Sequence, residues 1–166
     1  YYPDGIMTAP EIADIENDIA VSKELGFNGA RVHQKVEDPY FYYLADKMGF
    51  VLWCESASCF RFSKDVPERM VTEWIEIVKE NYNHPSIITW TPLNESWGVQ
   101  NISHDPFQQS LAMMLYYTVH SLDATRFVIS NDGWEHCKTD LCTIPNYAHG
   151  GTHELNKQDF SSYMLK

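Results

Sequence analysis

The stretch Ala45-Asp46-Lys47-Met48-Gly49-Phe50-Val51-Leu52-Trp53-Cys54-Glu55 carries a helix end, a stop and a buried strand in immediate succession. Upstream, Asp38-Pro39 opens the helix and Tyr40, Tyr43, Leu44 and Met48 form its apolar stripe. Gly49 ends it, because glycine enters the left-handed conformation of a helix C-cap without steric cost. Phe50 to Cys54 is then apolar at every position rather than at alternate ones, as in a strand covered on both faces, and the chain turns polar at Glu55. A strand of that kind belongs inside a parallel sheet with helices packed on it.

The same unit recurs on either side. Thr8 and Glu11 have capping-box spacing with Pro10 near the first turn, Ile12, Ile15 and Ile19 mark one helical face, Gly26 stops it, and Gly29 to His33 follows as a strand. Pro67 starts a third helix with Val71, Trp74, Ile75, Val78 and Tyr82 in helical period. His84-Pro85 breaks it, and Ile87 to Trp90 forms a strand. Asp105-Pro106 begins a fourth helix with Phe107, Leu111, Met114, Leu115 and Leu122 inward; Phe127 to Ile129 and Leu141 to Ile144 supply two more strands, and an amphipathic stretch runs to Lys166.

Helices alternating with apolar strands predict a parallel α/β sheet. A doubly wound sheet often carries a Gly-rich phosphate turn, which is absent, whereas a barrel gathers its chemistry at strand C-termini. The strand ends here carry His33, Glu55, Asn94-Glu95, Asp132 to Trp134, and Tyr147 to His149. The expected fold is therefore a partial (β/α)8 TIM barrel, about strands two to six with their helices, since five strands cannot close an eight-stranded cylinder. Residues 1–166 are read as a single incomplete barrel domain. The opening Tyr1-Tyr2-Pro3-Asp4-Gly5 has neither an initiator Met nor a signal pattern, so a fragment of a longer multidomain protein is expected and the compartment stays open.

Composition narrows the function. With 166 residues, 44% of them hydrophobic, the chain can bury a core. Its formal charge of −11 opposes a nucleic-acid partner, and no apolar run is long enough to span a membrane. Cys54, Cys59, Cys137 and Cys142 are spaced more loosely than zinc ligands, and reduced thiols at least half-buried suit Cys54 and Cys142, which lie in apolar runs. Neither a metal nor a cofactor is expected.

The chemistry concentrates in Thr89-Trp90-Thr91-Pro92-Leu93-Asn94-Glu95-Ser96, where an apolar strand runs into polar residues. This segment resembles the retaining glycosidases of glycoside hydrolase family 2, the group of β-galactosidases, β-glucuronidases and β-mannosidases. Asn28-Gly29-Ala30-Arg31 with Asp38-Pro39, the stretch from Ala45 to Glu55, and Asn83-His84-Pro85-Ser86-Ile87 match in order and spacing, so the likeness covers nearly the whole chain. The resemblance implies that Glu95 is the acid/base and that Asn94 binds the sugar 2-hydroxyl. It implies that Arg31 lies beside the nucleophile, the alternative being a structural ion pair, and that Tyr147 hydrogen-bonds the nucleophile, the alternative being a packed core tyrosine. It places the nucleophile itself on a seventh strand beyond this chain. Trp90, Trp97 and Leu93 are expected to lower the polarity around Glu95.

Trp134 either stacks on a sugar or covers the rim, while His33 and Glu55 bind substrate hydroxyls or form a buried network. Family members carry histidines at the positions of Gln34 and Pro145, which leaves the sugar open. Asn94-Glu95-Ser96 and Asn101-Ile102-Ser103 fit the glycosylation pattern by coincidence. The expectation is retaining hydrolysis of a terminal β-linked carbohydrate, β-galactosidase-like, by the parent protein, with an inactive fragment that self-associates through exposed sheet edges. Two rivals remain: a non-catalytic carbohydrate-binding module, and a metal-dependent barrel hydrolase using His33, Glu55 and His149.

Overall fold

The computed structural model describes residues 10–145. Its elements in chain order are α1 (Ile12–Glu24), β1 (Gly29–Val32), α2 (Pro39–Met48), β2 (Val51–Glu55), α3 (Val66–Asn81), β3 (Ile87–Thr91), β4 (Leu93–Asn94), α4 (Pro106–Leu122), β5 (Phe127–Val128) and β6 (Asn131–Asp132). β1, β2, β3 and β5 form one sheet in that order, every pair parallel. β4 and β6 pair in parallel beyond it. The bonds Ile129 N to Trp90 O (2.9 Å), Leu93 N to Ser130 O (3.1 Å) and Glu95 N to Asp132 O (2.7 Å) carry the β3/β5 pairing into β4/β6. The two sheets are thus one strand pair jogged at Pro92, and the architecture is part of a (β/α)8 barrel, as expected.

Local chemistry fixes the punctuation. Asp38 accepts from Tyr40 N (2.9 Å) and Asp105 from Phe107 N (2.9 Å), each with proline in the first turn. Gly49 closes α2 at φ +64°. Asp46 accepts from Ser86 N (2.9 Å) and contacts His84 Nδ1 (2.6 Å), tying α2 to the start of β3.

The core lies between the sheet and the helices. Leu52, Cys54, Trp90 and Val128 come from the strands, and Met70, Trp74, Leu111, Leu115 and Val119 from α3 and α4. Trp74 and Trp90 meet edge to face with centroids 6.3 Å apart, a contact favoured by the ring quadrupoles. The opposite sheet face carries Arg31, Val51, Trp53, Thr89 and Phe127; it is exposed at Val51 and at Phe127, the latter 54% exposed, and buried at Thr89.

Several expectations are corrected. α1 begins at Ile12 with Glu11 as N-cap and no side-chain cap bond, so the Thr8–Glu11 box does not start it; Thr8 lies outside the described residues. α2 buries Tyr42, Leu44 and Ala45, while Tyr40 and Tyr43 are exposed. α3 buries Met70, Trp74, Ile77 and Val78 but leaves Tyr82 exposed, and α4 turns Phe107 and Met114 outward. Residues 141–144 form no strand. Instead the chain folds back through an antiparallel bridge between Ile129 and Thr139, and Asp140 Oδ2 accepts from Val128 N (2.8 Å), occupying the edge of β5. Cys54 is buried as expected, but Cys142 is exposed.

Below the core, Asp123 accepts from Trp90 Nε1 (2.9 Å), Thr125 N (2.9 Å) and Arg126 Nη1 (2.5 Å). Burial alone would raise its pKa, but the bonds from Thr125, Arg126 and Trp90 outweigh that and bring it down to about 2. A depressed folded-state pKa gives stability that is complete above the unfolded value and lost as pH falls through the folded one. The free energy of unfolding should therefore drop between about pH 4 and pH 2, by about 2 kcal/mol from this group. Asp123→Asn should flatten that part of a denaturant titration repeated across pH.

Candidate active site

The polar residues at the strand C-termini converge on Arg31. From β1 its guanidinium donates through Nε to Glu55 Oε1 at the end of β2 and through Nη2 to Asn94 Oδ1 at the end of β4. Nη2 also lies 2.8 Å from Asp132 Oδ2 at the end of β6. The group sits 5.7 Å from the centroid of Trp53, whose Nε1 donates to Thr91 Oγ1 (2.6 Å). Glu55 is 1% exposed; its second oxygen accepts from Gln34 N (2.9 Å) and stands 3.5 Å from His33 Nδ1. One cation thus faces two carboxylates, and the mouth stays net acidic.

Beyond Asn94 the backbone does something costly. Glu95 and Ser96 adopt φ of +50° and +58°, each disfavoured for a residue with a side chain. A brace holds them there. Glu95 N donates to Asp132 O (2.7 Å), Ser96 N to Asn131 Oδ1 (2.9 Å) and Ser96 Oγ to Glu135 Oε2 (2.5 Å). Asn131 Nδ2 in turn reaches Ser96 Oγ (3.1 Å) and Glu135 O (2.7 Å). Gly133, at φ +142°, lies against this turn; a Cβ there would have room, 3.5 Å from Glu95 Cα, but not the conformation.

Two groups are left available. The half-buried Glu95 carboxylate makes no hydrogen bond or ion pair among the described residues. Asn94 is 1% exposed, and its Nδ2 is buried without a partner among the described residues. A buried donor without an acceptor costs about 1–3 kcal/mol, and it is suited to a hydroxyl brought by a ligand.

The structure therefore brings Arg31, Glu55 and Asn94 into one network with Glu95 next along the chain. His33, with its side chain 58% exposed, sits at the rim beside Glu55. Trp134 is half-exposed on the loop after β6. Tyr147 and His149 lie outside the described residues. Trp90 does not line the mouth: it points into the helix layer against Trp74 and Asp123, so it cannot lower the polarity around Glu95. Sequence reading placed Asp132 at the rim without its ion pair to Arg31, and it missed the Ser96–Asn131–Glu135 brace. Among the described residues no group of three His, Cys, Asp or Glu side chains could hold a metal ion.

Residues 8–164 match the family model described as glycosyl hydrolases family 2, TIM barrel domain. The chain is 33% identical over 89 residues to a β-glucuronidase of Bacteroides fragilis, covering 48% of this chain and 13% of that protein. It is 32% identical over 88 residues to a β-galactosidase of Bacteroides ovatus, covering 49% of this chain and 10% of the relative. Among solved structures it superposes on a β-glucuronidase of Parabacteroides merdae, determined with glycerol in its active site, at a TM-score of 0.80 and 21% identity, over 94% of this chain and 20% of that one. The chain thus spans about an eighth or less of the two curated relatives' lengths.

Removing the central cation should leave Glu55 buried and uncompensated. Arg31→Met should destabilise the chain by about 3 kcal/mol, the low end for a broken buried pair because the arginine is partly solvated. The double variant Arg31→Met/Glu55→Met should regain more than half of that loss in chemical denaturation.

Proposed function

This chain belongs to glycosyl hydrolase family 2, and from that premise we propose that it forms part of the catalytic barrel of a retaining β-glycosidase with Glu95 as acid/base. The observation that carries the reading is the turn itself: a strained, over-braced backbone presents an unengaged carboxyl group at the barrel mouth, beside a buried amide with an unused donor. Strain of this kind persists only where the surroundings enforce it, and it clusters at functional sites.

In the proposed reaction Glu95 donates a proton to the glycosidic oxygen as its bond to the anomeric carbon breaks. A second carboxylate, about 5 Å away, attacks that carbon from the opposite face and forms a glycosyl-enzyme. Glu95, now ionised, takes a proton from the water that displaces the enzyme carboxylate, and the two inversions return the β configuration. Asn94 Nδ2 donates to the sugar 2-hydroxyl. Arg31 and Tyr147 support the nucleophile, which we assign to a later strand of the parent protein; His33 and Trp134 contact substrate hydroxyls or the ring face, and Glu55, buried with both oxygens engaged, holds Arg31 and His33 in place.

The described residues supply part of one barrel domain. The exposed Val51 and Phe127 and the edge that β1 forms among the described residues favour association between copies when this segment is isolated. The carbohydrate substrate is first read as a β-galactoside, in line with the Bacteroides ovatus relative. A β-glucuronide is the second reading, favoured by the Bacteroides fragilis relative.

In the intact protein, Glu95→Gln should lower kcat/KM by roughly 10²- to 10⁴-fold on glycosides with poor leaving groups. Unchanged activity would contradict the assignment. Matched aryl β-galactoside and β-glucuronide assays decide the sugar, and whichever is cleaved at least tenfold better identifies it.

A further inference from the structure

Two aromatic rings that the catalytic network does not use stand exposed together at the same mouth. Phe60, in the loop after β2, is 71% exposed and Trp97, in the loop after β4, is 41% exposed. Their centroids are 5.9 Å apart with the planes at 28°, a stacked pair. Neither ring is buried in the core cluster. Exposed apolar surface held in a fixed arrangement marks a place where something docks.

The pair is built rather than incidental. Gln100 Nε2 donates to Phe60 O (2.7 Å) and fastens one loop to the other. Gly98 has φ of +80°, and a Cβ on it would fall 2.1 Å from Cys59 Sγ and 2.7 Å from Cys59 O. Only glycine lets the loop after β2 press onto the backbone next to Trp97. Val99 and Ile102, both buried, anchor the far side of the turn, and the Arg61 guanidinium lies 5.9 Å from the Phe60 centroid. Trp97 N donates to Asn94 O (2.9 Å), so the platform hangs from the same turn that presents Glu95.

We propose that Phe60 and Trp97 form the leaving-group subsite: they stack on the apolar face of the ring expelled with the glycosidic oxygen, whether that ring is a second sugar or an aryl group. The inference rests on Glu95 being the proton donor. A donor must reach the bridging oxygen, so the expelled group lies on its side of the substrate, while Asn94 and the Arg31 cluster hold the sugar that stays. Trp97 is two residues beyond Glu95 and projects from that turn. A rigid aromatic pair binds a ring with little loss of side-chain freedom, because the ordering is already done.

The test uses the intact protein and β-glycosides of one sugar that differ only in the leaving group: methanol, phenol or a second sugar. In Trp97→Ala and in Phe60→Ala, the ratio of kcat/KM for the phenyl glycoside to that for the methyl glycoside should fall about tenfold, the scale of one aromatic contact. The disaccharide-to-methyl ratio should fall with it. Trp97→Phe, which keeps a ring, should hold both ratios within about threefold of the parent and so separates loss of stacking from loss of folding. Unchanged ratios in the alanine variants, with Glu95→Gln inactive, would overturn the platform alone. Glu95→Gln at full activity would instead remove the acid/base reading, and with it the leaving-group assignment.

Discussion

A single guanidinium organises the mouth of this barrel. Arg31 reaches from β1 to groups at the ends of β2, β4 and β6, so four points along the sheet are referred to one planar fork of donors. A carboxylate as buried as Glu55 would be intolerable without that partner. The pairing also decides what is left over. Asn94 Oδ1 is committed to Arg31, which fixes the amide plane and leaves Nδ2 without a partner among the described residues. Asp132 serves twice, its side chain on Arg31 and its carbonyl on Glu95 N. The position of the proposed proton donor and the charge balance of the mouth therefore have a common origin.

The strained turn depends on the rigidity beneath it. Two consecutive left-handed residues that are not glycine cost about 1–3 kcal/mol each, and they persist because the hydrogen bonds that Glu95 N, Ser96 N and Ser96 Oγ donate to Asp132, Asn131 and Glu135 over-determine the turn. Those bonds hold only if β4 and β6 stay in register, which in turn requires β3 and β5 to be fixed against the helices. The Trp74–Trp90 contact, the bond from Trp90 to Asp123 and the Arg126 bonds to Tyr82 O, His84 O and Ile87 O supply that fixation. Core packing on one face of the sheet is thereby converted into placement of a carboxyl group at its end.

Much of this could be read from local signals. Gly49 after an amphipathic run, Asp38-Pro39 and Asp105-Pro106 act through nearest-neighbour chemistry, and the apolar strands announce a parallel sheet under helices, although their second face is exposed at Val51 and Phe127 rather than covered. The meeting of Glu55 and Asn94 followed from strand ends sharing one rim, while Arg31 was pointed to by the family resemblance. What escaped is nonlocal or ambiguous. Leu141 to Ile144 is apolar enough for a strand, yet Asp140 takes the β5 edge by folding back, a tertiary competition that no window of sequence contains. Tyr43 and Phe107 count as hydrophobic in any periodicity, but amphipathic or terminal positions let them lie outside. The left-handed Glu95-Ser96 turn carries no glycine or asparagine to announce it; its cause is Asn131 and Glu135, more than thirty residues away.

The most direct measurement of the central claim is azide rescue of Glu95→Ala in the intact protein, with an aryl β-glycoside whose leaving group departs without a proton. Azide is already an anion, so it can attack the glycosyl-enzyme without the base that the variant lacks, and two inversions must then yield a β-glycosyl azide. A turnover rate that rises with azide and a product of β configuration are the predicted result. No rescue, or an α-glycosyl azide, would contradict the assignment of Glu95 as the acid/base of a retaining enzyme.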